Sequence, residues 1–75
     1  MKYNDKEYLK AFGEFVQAER LKQGLFQAEV AEKLGISQSH LSYIESGERE
    51  ISLNLSRKIC EALNTDLLTF ISKHN

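Results

Sequence analysis

Residues 27–44 read QAEVAEKLGISQSHLSYI, and this stretch decides the fold. Small and apolar residues recur in it at helical spacing, with a glycine, Gly35, between two groups of them. Ala31 is small enough for two helices to approach closely, Gly35 suits a left-handed turn, and Ser37 can cap the helix that follows. The side chains that would pack this pair onto the rest of a domain are Val30, Ala31, Leu34, Ile36, Leu41 and Ile44. The stretch therefore predicts two short helices joined at a steep angle by a tight turn.

Glycines at positions 24, 35 and 47, together with Asn64, each follow an apolar pattern of helical period. Such residues suit the left-handed position just past a helix end. Reading back from these stops predicts five helices, over about Lys6–Gln23, Gln27–Leu34, Gln38–Ser46, Leu53–Leu63 and Leu67–Lys73. No segment alternates as a strand would, and no repeat or linker divides the chain. We therefore expect an all-α fold in a single domain spanning residues 1–75.

Composition narrows the class of protein. The 75 residues are 41% hydrophobic and 28% charged, which is ordinary for a globular chain. The start, MKYNDKEY, lacks the apolar core of a signal peptide, and no apolar run is long enough to cross a membrane, so the prediction is a cytoplasmic protein without a membrane partner. The net charge of −1 argues against a non-specific coater of DNA but leaves a specific reader open.

The reactive residues are too few and too scattered for catalysis. Cys60 is the one cysteine, so no internal disulfide can form, and no Cys/His spacing indicates a metal site. The sequence contains no carboxylate pair, no Cys/His arrangement and no phosphate-binding loop. We expect no enzymatic activity, no cofactor and no small-molecule ligand, and we interpret Cys60 as a small core residue.

The exposed face of the third predicted helix is unusually neutral. Ser39, Ser42, Tyr43 and Ser46 lie opposite Leu41 and Ile44 on a helical wheel, and Gln38 stands at the tip. Solvated faces usually carry Lys and Glu, whereas these groups donate and accept hydrogen bonds without charge. The face is either plain solvated surface or a docking surface.

A wider pattern supports docking. Its matching segments are Phe12-Gly13, Arg20 with Gly24-Leu25, Gln27 to Ala31, Gly35-Ile36-Ser37, Ile44-Glu45 with Gly47 and Arg49, and Ile59-Cys60 with Ala62-Leu63. Over about residues 12–71 the chain resembles the Cro/phage-repressor-type helix-turn-helix family, also called XRE or lambda-repressor-like. The resemblance implies a compact five-helix domain with the helix-turn-helix at helices two and three. It also implies sequence-specific binding to double-stranded DNA, with helix three in the major groove.

The resemblance also assigns roles to particular residues. Those that would read bases are Gln38, Ser39, Ser42 and Tyr43, although Tyr43 packing against a neighbouring loop is an equal alternative. Those that would contact phosphates are Gln27, Arg49 and Ser46. Arg20 and Glu45 match a structural pair that ties helix one to helix three.

The chain departs from the family pattern at two notable positions. Phe26 stands where a Ser or Thr usually caps helix two, so that cap is expected to be lost. Ser56 occupies a usually apolar position, and Leu55 is expected to take its place in the core.

The last predicted helix carries more apolar residues than a small core is expected to use, namely Leu67, Leu68, Phe70 and Ile71. We therefore predict a homodimer formed through this helix, acting as a transcriptional regulator on a palindromic operator. Part of the sequence is similar to the controller proteins of restriction–modification systems, and a mobile-element repressor would look alike. The alternative is a protein-interaction module or an antitoxin built on the same helices.

Overall fold

The computed structural model describes residues 5–74, and this part of the chain forms five α-helices. Their bounds are α1 Lys6–Lys22, α2 Gln27–Leu34, α3 Gln38–Glu45, α4 Leu53–Ala62 and α5 Leu67–His74. The all-α prediction is confirmed, and each helix ends within one residue of its predicted limit. Residues 1–4 and 75, which the predicted domain included, lie outside the described part. No helix within residues 5–74 is long and apolar enough to cross a membrane.

Local chemistry sets the helix ends around the helix-turn-helix. Gly35 closes α2 in the left-handed conformation with φ of 71°, and the Ser37 hydroxyl accepts a hydrogen bond from the His40 N–H at 3.0 Å to begin α3. As expected, Phe26 gives α2 no side-chain cap, and its ring is exposed. The Glu29 carboxylate instead accepts the Phe26 N–H at 2.8 Å, which satisfies one donor at this helix end.

The core forms where α1 meets the other helices. Its fully buried side chains include Phe12, Leu41, Ile59 and Leu63, and Phe70 of α5 packs with its ring edge against Phe12 at 5.2 Å between ring centroids. The two helices of the turn therefore rest on α1, and α5 closes the opposite side. This leaves one face of α3 exposed.

The register of α4 differs from expectation. Ser56, rather than Leu55, is fully buried with Ile59 and Cys60, while Leu55 is only partly buried. The serine is tolerated there because its hydroxyl donates a hydrogen bond to the Ser52 carbonyl at 2.8 Å. The expectation that Leu55 replaces Ser56 in the core was wrong.

Gly13 sets the distance between α1 and α3. A Cβ atom at this position would lie 2.5 Å from the carbonyl oxygens of both Ile44 and Glu45. Only a residue without a side chain lets the end of α3 come this close to α1. This crossing fixes which residues of α3 face solvent.

Candidate nucleic-acid interface

The four residues predicted to read bases lie together on the exposed face of α3. Gln38, Ser39, Ser42 and Tyr43 are all exposed, and they line a shallow concavity of about 320 Å³ together with Gln27 at the start of α2. Leu41 and Ile44, on the opposite face of α3, are buried. The concavity is lined by amide and hydroxyl groups and one phenol ring, with no charged side chain among its lining residues. Such groups can donate to and accept from base edges.

Tyr43 also contacts the loop after α3. The guanidinium carbon of Arg49 lies 5.5 Å from the centroid of the Tyr43 ring, within cation–π range. The ring is 46% exposed, so it supports Arg49 while one part still faces the concavity. Both interpretations of Tyr43 thus have a contact to support them.

The hydroxyl of Ser46, predicted to contact phosphate, faces protein acceptors in this structure. Its oxygen lies 2.7 Å from Glu48 Oε1 and 3.0 Å from the Tyr43 carbonyl oxygen. A hydroxyl has a single proton to donate. That proton is therefore directed into the protein, beside a carboxylate whose charge opposes a phosphate.

Arg20 and Glu45 form a buried ion pair between α1 and α3. Arg20 Nε donates to Glu45 Oε2 at 2.7 Å and Arg20 Nη2 donates to Glu45 Oε1 at 3.0 Å, with the two side chains 8% and 3% exposed. The hydrogen bond to Glu45 raises the pKa of the Arg20 guanidinium, against the opposing effect of burial. Arg20 Nη1 also donates to the Leu25 carbonyl at 2.8 Å, in the turn before α2. The predicted pairing partners are thus in contact.

Gln27 has a contact that the sequence did not indicate. Its Nε2 donates to Glu45 Oε1 at 3.0 Å, across 18 positions of the chain. No local spacing pattern connects the two residues, because the contact depends on how α2 and α3 cross. Gln27 therefore joins the exposed concavity to the buried ion pair.

The remaining candidate residues separate into core and surface. In α5, Leu68 is 70% exposed and Leu67 and Ile71 are partly buried, but Phe70 is buried among the rings of α1. Phe70 is therefore removed from the proposed dimer surface, because its side chain already completes the core. Burial raises the pKa of the Cys60 thiol to about 11, which disfavours the reactive thiolate.

The helix-turn-helix arrangement of α2 and α3 agrees with a family comparison. A family profile described as helix-turn-helix matches residues 16–70, which is most of the chain. The chain belongs to the XRE-type helix-turn-helix family. No curated protein sequence matches this XRE-type chain significantly.

Solved structures of regulators share the fold of this XRE-type chain. The clp gene regulator ClgR from C. glutamicum is 28% identical, with a TM-score of 0.82 over 85% of this chain and 82% of the other. The restriction–modification controller protein C.AhdI from Aeromonas hydrophila is also 28% identical, with a TM-score of 0.80 over 87% of this chain and 94% of the other. A variant of the controller protein C.Esp1396I, bound to its operator site, is 19% identical, with a TM-score of 0.77 over 97% of this chain and 91% of the other.

Family and fold together identify a DNA-binding transcriptional regulator. The last of these likenesses concerns the fold alone, because its sequence identity is low. What remains is to assign how this chain reads its DNA.

Proposed function

We propose that this regulator is a homodimer that reads a palindromic operator in double-stranded DNA, with α3 of each subunit in the major groove. The observation that carries the proposal is the uncharged, hydrogen-bonding concavity on the exposed face of α3. Its residues are held at fixed positions because the opposite face of α3 is packed on α1.

In the proposed complex, the tip and outer face of α3 meet the base edges. A glutamine amide can pair with adenine through two hydrogen bonds, which suits Gln38, and the hydroxyls of Ser39 and Ser42 can donate or accept. The phenol of Tyr43 can add a hydrogen bond or touch a thymine methyl group. These neutral groups discriminate between bases but contribute little general attraction to DNA.

The phosphates are contacted from both sides of α3. Gln27 is the first residue of α2, where backbone N–H groups and the helix dipole favour an anion. Arg49 lies in the loop after α3 and is supported by the Tyr43 ring. Together they would hold α3 in register on the duplex.

The polarity of the concavity favours DNA over a protein partner. Protein-binding hot spots are rich in large apolar and aromatic side chains, and Tyr43 is the single such residue lining this concavity. The likeness to C.AhdI supports a restriction–modification controller as the subclass. Selecting bound sites from random DNA would give the operator. An operator located before this gene and a neighbouring restriction gene would support that subclass.

Two substitutions separate reading from holding. Gln38→Ala is expected to weaken operator binding by about 1–3 kcal/mol per half-site and to leave binding to a scrambled duplex nearly unchanged. Arg49→Ala is expected to weaken both and to reduce the salt dependence by about one phosphate contact per subunit. The measurement is affinity for the selected operator and a scrambled duplex at several salt concentrations.

Matched controls are available on other surfaces. Gln17→Ala removes an exposed glutamine of α1, and Arg57→Ala removes an exposed arginine of α4. Neither change should alter operator preference. If Gln38→Ala lowers both affinities equally, α3 is not the reader and the proposed function fails.

A further inference from the structure

The hydrogen bond between Gln27 and Glu45 connects the DNA-facing surface to the interior. Glu45 is buried, and its carboxylate accepts three hydrogen bonds, two from Arg20 and one from Gln27. Gln27 is partly exposed and lines the same concavity as the side chains of α3. One carboxylate thus links α1, the start of α2 and the end of α3.

This contact settles which way the Gln27 amide faces. An ionised carboxylate can only accept hydrogen bonds, so the nitrogen of the amide, rather than its oxygen, must lie against Glu45. The nitrogen carries two protons. One is used by Glu45 at 3.0 Å, and the second remains available to an acceptor outside the protein.

The ion pair also removes an electrostatic obstacle. A lone carboxylate behind Gln27 would repel a phosphate approaching the amide. Arg20 neutralises that charge through its two-pronged contact, so Glu45 can orient the amide without opposing the phosphate. Orienting the side chain before DNA arrives also lowers the entropy lost on binding.

We propose that Glu45 is a positioning residue for DNA binding, which acts by holding the Gln27 amide with one N–H directed at a DNA phosphate. Arg20 and Glu45 then have a role beyond tying helices together, because they prepare a contact at the surface. The inference rests on the proposed function, since it requires that Gln27 lies against the DNA backbone.

A double-mutant cycle tests the positioning. Gln27→Ala and Glu45→Gln are each expected to weaken binding to operator and scrambled duplex about tenfold, the size of one hydrogen bond to a charged group. The double variant should bind no more weakly than the weaker single variant, because both changes remove the same contact. Gln17→Ala is the control, and thermal unfolding establishes that each variant is folded at the assay temperature.

Fully multiplicative losses in the double variant would overturn the inference, since Glu45 would then act only through the fold. Unchanged scrambled-duplex affinity in Gln27→Ala would also overturn it. Neither result would touch base reading by α3, which the Gln38 variant tests separately. A purely structural role for Glu45 would lower stability without this coupling in affinity.

A second measurement needs no variant. In nitrogen-edited NMR spectra of the wild-type protein, one Nε2 proton of Gln27 should be shifted downfield and should exchange with solvent more slowly than those of exposed Gln17. Amide signals of Gln27 that match those of Gln17 in shift and exchange would overturn the inference even if Glu45→Gln does not fold.

Discussion

The carboxylate of Glu45 is the residue through which most of the site is organised. It lies 3% exposed and is compensated by donors from two helices, so its burial is tolerable only because each oxygen has a partner. Family resemblance predicted Arg20 as one partner. It did not predict Gln27, because a contact across 18 positions follows from the crossing of α2 and α3 rather than from spacing.

At this scale we predict strong coupling between Arg20 and Glu45 in stability. Arg20→Met or Glu45→Leu alone should cost about 3–5 kcal/mol of unfolding free energy, because each leaves a buried charge without its partner. The double variant should cost less than the sum. The matched control is the exposed pair of Arg57 and Glu61, 3.0 Å apart on α4, whose coupling should stay below about 1 kcal/mol. Equal coupling in the two cycles, measured by denaturant unfolding, would contradict the prediction.

Among the helices, the crossing of α1 and α3 decides how the site is presented. Gly13 sits in the middle of α1, where a glycine weakens a helix by about 1 kcal/mol relative to alanine. Its cost is explained by the carbonyl oxygens of Ile44 and Glu45, which occupy the space of a Cβ atom. The sequence contained Phe12-Gly13 as part of the resemblance, but the reason for the glycine is visible only once α3 is in place.

We predict that Gly13→Ala destabilises the protein despite the better helix former. The propensity gain is about 1 kcal/mol, whereas overpacking costs about 1–3 kcal/mol, and two backbone carbonyls at 2.5 Å cannot turn aside as a flexible side chain would. The control is Ala18→Gly on the exposed side of α1, which should lose about 1 kcal/mol by propensity alone. Denaturant unfolding measures both. A more stable Gly13→Ala variant would show that the helices can separate at little cost.

Helix period and hydrophobicity gave different answers in α4, and period was the better guide. Ser56, Ile59, Cys60 and Leu63 follow the spacing of one helix face and are all buried. Giving Leu55 priority for its apolar side chain ignored that spacing. The helix limits themselves were predictable because glycines, Asn64 and the serine caps mark them in the sequence.

In the whole molecule, α5 closes the core instead of lying wholly outside it. Phe70 enters a cluster of rings from α1, formed with Tyr8, Phe12 and Phe15. Counting apolar residues in α5 could not anticipate this, because the space for Phe70 is made by a helix about sixty positions earlier in the chain. The candidate site was more predictable, since α3 presents its outer face by helical period alone. The direction of the Ser46 hydroxyl and the stacking of Arg49 depended on the folded loop.

The proposed dimer now depends mainly on Leu68, which is 70% exposed, with partly buried Leu67 and Ile71 beside it in α5. A subunit pair would place two α3 helices about 34 Å apart, one turn of duplex. Leu68→Glu should leave the fold intact and weaken the dimer at least about tenfold, because it places a charge in an apolar contact. Operator affinity should fall with it. Leu21→Glu, at a leucine of α1 that is 60% exposed, is the matched control and should change neither.

Sedimentation equilibrium with and without operator duplex measures both effects. Two outcomes would end the dimer proposal. One is a wild-type protein that stays monomeric at about tens of micromolar, a range in which weak dimers assemble, even on its operator. The other is a Leu68→Glu variant that dimerises as well as the wild type, because the interface would then lie elsewhere or use other side chains of α5. Dimerisation lost equally in Leu21→Glu would instead point to a general effect of added negative charge.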